Sequence, residues 1–192
     1  MNSPFHDYLS DLHAEIARIG DGAVADYIPE LARARPEACA VSFATIDGEV
    51  YTVGDCDEGF TIQSVSKPFA YGAALERLGP RRLLEKVGVE PTGEAFNSIV
   101  LDEVNNRPFN PMVNAGAIAV AALAAGETPE ARVAGMLRDF SGFAGRPLEI
   151  DEAVFVSEAR TGHRNRAIAW LMLNSGMIER DPEEVLGHYF RQ

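Results

Sequence analysis

Every strand-like run in this chain lies before residue 64, and from there to Gln192 helix-periodic segments alternate with loops. Ala38 to Ile46 and Glu49 to Val53 flank Asp47-Gly48, a dipeptide that supplies the positive φ angles of a tight hairpin turn. Phe60 to Gln63 reads as a third, short strand. The segregation predicts an α+β fold, a helix-rich region beside a small antiparallel sheet whose edges are unpaired and which is therefore incomplete.

The helical part divides by its stop and start signals. Tyr8, Leu9, Leu12, Ile16 and Ile19 recur at helical spacing and end at Gly20-Asp21-Gly22. A helix opens at Ser64 and ends at Gly79-Pro80; Arg81 to Val87 makes a short one closed by Gly88. Val89 to Val113 is rich in Pro, Asn and Gly without periodicity, and a loop of that length is usually functional. Asn114-Ala115-Gly116-Ala117-Ile118 opens a close-packed, small-residue helix to Ala125, and Thr128-Pro129-Glu130 caps another to about Phe140. Asp151 to Thr161 and Arg166 to Leu173 are further helices, and Asp181-Pro182-Glu183-Glu184 starts the last one. With 192 residues and 46% hydrophobic content, residues 1–192 read as a single domain.

A formal net charge of −12 argues against nucleic acid and an anionic membrane surface as partners. No secretory signal and no apolar run of membrane-spanning length is present, so the expected location is cytoplasmic. Cys39 and Cys56 have neither C-x-x-C nor zinc spacing, and His6, His13, His163 and His188 are scattered; no metal and no cofactor is implied.

Chemistry is concentrated in Ser64-Val65-Ser66-Lys67. Positions three apart share a helical face, so a hydroxyl and an amine can meet in one pocket. Serine becomes a nucleophile only when a base takes its proton, and lysine is such a base only where burial or a helix N-terminus lowers its pKa. The bland reading is a serine cap followed by a solvated lysine. Against it, the chain carries fifteen arginines and only two lysines, Lys67 and Lys86, and arginine cannot accept the proton.

Taken together the motifs identify a family. Ala25-Asp26-Tyr27-Ile28-Pro29-Glu30-Leu31-Ala32, Ile62-Gln63-Ser64-Val65-Ser66-Lys67-Pro68-Phe69, Glu90-Pro91-Thr92-Gly93 with Phe96-Asn97-Ser98, Asn110-Pro111-Met112-Val113-Asn114-Ala115-Gly116-Ala117-Ile118, Ser157-Glu158 with Arg164-Asn165 and Ala167, and Tyr189-Phe190 occur in family order. The chain resembles the serine-dependent glutaminases, whose fold is of the β-lactamase and transpeptidase type. The resemblance implies hydrolysis of L-glutamine to L-glutamate and ammonia through a γ-glutamyl ester on Ser64, with Lys67 as base and Tyr27 as proton relay. It assigns substrate binding to Ser64, Asn114, Glu158, Asn165 and Tyr189, and implies a homo-oligomer, dimer or tetramer. Other readings stay open: Tyr27 as a core tyrosine, Asn114 as a helix cap, Glu158 as a solvated charge. Glu158 and Asn165 share a helical face only if the helix is unbroken at Gly162.

The resemblance also implies a C-terminally truncated member, lacking about the last third and with it further strands, a second active-site tyrosine and a strand that helps form the oxyanion hole. Two other readings compete. One is an inactive truncated glutaminase-like protein that associates with itself or a full-length relative. The other is a serine β-lactam hydrolase or acyltransferase, since S-x-x-K serves those enzymes too.

Overall fold

A computed structural model describes residues 3–102 and 104–192. The chain forms two compact units, residues 1–61 and 62–192.

The first unit carries α1 (Pro4–Ile16) and a hairpin of β1 (Ala40–Ala44) and β2 (Val50–Gly54). Ser3 caps α1 by accepting from the Phe5 amide, and Pro4 occupies the first turn, where a missing N–H costs nothing. The strands pair antiparallel in the register Ala40↔Gly54 to Ala44↔Val50; of the Asp-Gly pair only Gly48 has a positive φ, 93°, and the turn is closed by the Gly48 amide donating to the Thr45 carbonyl at 3.1 Å. Phe5 anchors α1 on the sheet: its ring lies 5.7 Å from that of Phe43 and 5.4 Å from that of Tyr51, which oppose each other across the strands. His13 donates from Nε2 to the Cys39 carbonyl at 3.1 Å.

The third strand does not form. Phe60 to Ile62 is irregular and leads into a 3-10 turn, Gln63–Val65. An apolar run becomes a strand only when it finds a pairing edge, and among the described residues the sheet has two strands.

The second unit is helical: α2 (Ser66–Leu84), α3 (Asn114–Ala122), α4 (Pro129–Ala144), α5 (Glu152–Thr161), α6 (His163–Asn174) and α7 (Pro182–Tyr189). Gly79, at φ 75° and ψ 162°, breaks α2 just ahead of Pro80, where the sequence places the end of a helix. Thr128, Asp151 and Asp181 cap α4, α5 and α7 by accepting from amides of the first turn. The long segment between α2 and α3 is irregular but tied down. Arg107 bonds Glu90 at 3.2 Å, Asp102 at 3.3 Å and the Leu84 carbonyl, and Asn110 donates to the Glu90 carbonyl at 2.9 Å.

Helix α3 is the axis of this unit, in contact with α2, α6 and α7. All eight residues from Asn114 to Ala121 are buried, and its small side chains bring the surrounding helices close. Ile118, Ala119, Ile168, Met172, Ile178 and Leu186 form the centre of its core. Gly116 permits the closest approach, because a Cβ there would lie 1.9 Å from the Asn110 carbonyl oxygen.

Candidate active site

Lys67 is the second residue of α2 and is buried, at 4% exposure. Its amine donates to Asn114 Oδ1 at 2.8 Å and to the Met112 carbonyl at 3.0 Å, and the Phe96 ring lies 5.9 Å away. Asn114 Nδ2 in turn donates to Asn165 Oδ1 at 3.0 Å. The amide therefore has one satisfiable orientation, oxygen to the lysine and nitrogen to the second asparagine. Asn114 opens α3 and caps nothing: the cap position is Val113, without a side-chain bond.

Electrostatics sharpen the picture. Burial pushes the Lys67 ammonium down to about 8, against which Glu158 pulls it up. Burial likewise pushes the Glu158 carboxyl up to about 7, with Lys67 pulling it down. Two opposite charges thus act on each other in a poorly solvated place, so Glu158 is not a solvated surface charge. A neutral Lys67 amine has two hydrogens and one lone pair; the hydrogens are directed at Asn114 and Met112, and the lone pair is free to accept.

Ser64 sits in the 3-10 turn that precedes α2 rather than at the first helical residue, and its side chain is exposed. Gln63, immediately before it, has φ 46°. A non-glycine residue in the left-handed region carries strain that persists only where surrounding structure holds it, and such residues gather at functional turns. Among the described residues no hydrogen bond joins Ser64 to Lys67.

Asn165 and Glu158 lie on different helices, because the chain breaks at Gly162 between α5 and α6. Glycine is required at the break, where a Cβ would lie 2.6 Å from the Phe190 ring. What relates them is tertiary packing and not a continuous helix: Asn165 bonds Asn114, and Glu158 acts on Lys67. Tyr189, on α7, is partly buried with its ring 5.7 Å from Phe190. Tyr27 belongs to the first unit, just ahead of a 3-10 turn at Pro29–Arg33, and at 63% exposure it is not a core tyrosine.

Two contributors left no mark in the sequence as chemistry. The Met112 carbonyl is a backbone atom, which any residue supplies. Arg164 donates from Nε to the Asn97 carbonyl at 2.6 Å, and the Asn114 amide donates to the Phe96 carbonyl at 2.8 Å, so the loop carrying Phe96 is held from both sides.

The family model Glutaminase matches residues 22–192. The chain belongs to the glutaminase family. Glutaminase from Trichormus variabilis is 53% identical over 190 residues, covering 99% of this chain and 57% of that protein. Glutaminase 2 from Bradyrhizobium diazoefficiens is 51% identical over 98% of this chain and 30% of its own length. Among solved structures, Mglu in its glutamate form superposes with TM-score 0.93 at 38% identity, covering all of this chain and 44% of that one. A probable glutaminase, ybaS, gives 0.93 at 36% over 62% of its length. The chain thus spans 57% of the length of the Trichormus relative and 30% of the Bradyrhizobium one. The glutaminase fold, β-lactamase-like and helix-rich with a two-stranded antiparallel sheet here, is the α+β class expected from the sequence.

Proposed function

We propose that the protein containing this chain hydrolyses L-glutamine, with Ser64 as nucleophile and Lys67 as its base. The observation that carries the reading is the environment of Lys67: buried, lowered to about 8, both donor directions occupied, at the start of the helix that comes after Ser64. At neutral pH roughly a tenth of such an amine is unprotonated, enough to serve as a general base. Ser64 Oγ then bonds to the γ-amide carbon while its proton passes to Lys67 Nζ. Collapse of the tetrahedral adduct breaks the C–N bond, and the proton returned from Lys67 Nζ lets the nitrogen leave as ammonia. Water cleaves the γ-glutamyl ester by the same base, releasing glutamate and restoring Ser64.

Recognition depends on the substrate's other end. Free glutamine presents an ammonium and a carboxylate; Glu158 suits the first, and the amides of Asn114 and Asn165, with the Tyr189 hydroxyl, suit the second and the reacting amide. Glu158, raised by burial, gains a charged partner when the ammonium arrives, and that gain favours an amino acid over a plain amide. The same reading makes L-glutamine the small-molecule partner, and includes a cytoplasmic homo-oligomer. Among the described residues no helix is long and apolar enough to cross a membrane.

The test is covalent labelling. An electrophilic glutamine analogue should add its mass to the peptide holding Ser64, and Ser64→Ala should abolish both the adduct and ammonia release. Labelling of Ser64 by a β-lactam and not by the analogue would overturn the assignment in favour of the acyltransferase class.

A further inference from the structure

Gln192 Nε2 donates to Ser66 Oγ at 3.1 Å, a bond between residues 126 apart in the chain. Ser66 is the first residue of α2, buried at 3% exposure, and stands between Ser64 and Lys67. A serine at a helix start ordinarily accepts from a first-turn amide. This one does not: the cap position of α2 is Val65, without a side-chain bond, and the Ser66 hydroxyl turns to Gln192 instead.

The turn that Ser66 adjoins needs holding. Gln63 sits at φ 46°, and the 3-10 turn around Ser64 is closed by backbone bonds, the Val65 amide to the Ile62 carbonyl at 3.0 Å and the Ser66 amide to the carbonyls of Gln63 and Ser64. A strained conformation of that kind lasts where neighbours fix it. Lys67 is fixed by Asn114 and the Met112 carbonyl, and Ser66 by Gln192. Gln192 is itself well seated. It follows α7, where Val185, Leu186 and Phe190 are buried in the core of the second unit and Glu184 pairs with Arg132 of α4. Its own amide donates to the Tyr189 carbonyl at 3.2 Å. Helix α7 packs on α3, α4 and α6, and the Gln192 side chain extends that link to α2.

We infer that Ser66 and Gln192 are a positioning pair for the nucleophile, their bond tying the Ser64 turn to the core through α7. The inference rests on the reading of Ser64 as nucleophile given above. Its chemical consequence is orientation: a hydroxyl attacks an amide carbon from a narrow range of positions, and a displacement of about 1 Å costs roughly a hundredfold in rate. The same helix carries Tyr189, assigned above to the substrate, so the bond also fixes the nucleophile relative to a residue that receives the substrate.

Hydrogen exchange at the Val65 and Ser66 amides reads the turn directly and needs no turnover. Ser66→Ala and Gln192→Leu should each speed it about tenfold, with the buried Met172 amide unchanged, and the double variant should be no faster than either single, since one bond is lost in all three. Gln192→Glu, whose carboxylate accepts from the Ser66 hydroxyl, should restore slow exchange. Labelling of Ser64 by the electrophilic glutamine analogue should slow about tenfold in both single variants, at unchanged half-saturating concentration and unchanged pH midpoint, because Lys67 and the binding groups are untouched. Exchange indifferent to both variants, effects that add in the double, or labelling that slows through weaker binding alone would each overturn the inference. An unaltered chain that takes no label speaks against Ser64 as nucleophile, and the exchange measurements then decide by themselves whether Gln192 holds the turn.

Discussion

Lys67 and Glu158 set opposing demands on pH. Glu158 holds its proton to about 7 when folded against 4.5 as a free side chain, so the folded state binds more protons between those values and stability falls as pH rises from about 4.5 to 7. Lys67 loses its proton at about 8 when folded against 10.5 free, so the unfolded state binds more protons and stability rises from about 8 to 10.5. Melting temperature plotted against pH should therefore show a trough between about 7 and 8. Glu158→Gln should flatten the acid limb and Lys67→Met the alkaline one; a curve unchanged by either would mean the pair is solvated. Glu158→Gln should also weaken glutamate tens of fold, about 2 kcal/mol for a charged hydrogen bond, while an analogue without the α-amino group loses far less. Calorimetry on the two ligands reads the difference, and equal losses would make Glu158 a structural residue. Lys67→Arg keeps the charge but cannot take a proton, so ammonia release should fall nearly as far as in Ser64→Ala, with retained turnover pointing to another base. The spacing of Ser64 and Lys67 was legible, since three residues are one turn in any helix, and the burial of Lys67 was not. The bond from Lys67 to Asn114, 47 residues on, was not, since spacing carries no information about which helices pack. The resemblance to known glutaminases named that asparagine.

Among the elements, the hairpin was legible and the third strand was not, for one physical reason. Asp47-Gly48 encodes its own turn and hence its own partner, whereas Phe60 to Ile62 encodes only an apolar run that needs an edge supplied from elsewhere. Asn114 to Ala122 announced itself by small residues, yet what those residues make room for is the backbone of Asn110-Pro111, which composition does not reveal. Gly116→Ala puts a Cβ into that backbone, which cannot swing aside as a side chain would. The cost should reach about 3 kcal/mol, the upper part of the overpacking range, or roughly 6–12 °C in melting temperature for a chain of this size. A loss under about 2 °C by scanning calorimetry would mean that the Asn110 turn is soft.

Residues 1–61 and 62–192 make two compact units, and we propose that they unfold as one domain. Trp170, the only tryptophan, reports on the second unit by fluorescence, and hydrogen exchange at Ala40–Ala44 reports on the first. Coincident midpoints in urea support a single domain; separated ones would divide it. Helix α3 carries a consequence for how the whole molecule tolerates change. A surface helix accepts substitutions on its wet side, so a saturation scan across it shows stripes every third or fourth position. Eight consecutive buried residues, Asn114 to Ala121, have no wet side. Such a scan should show an unbroken block of intolerance there, a stretch in which inheritance has almost no freedom to drift.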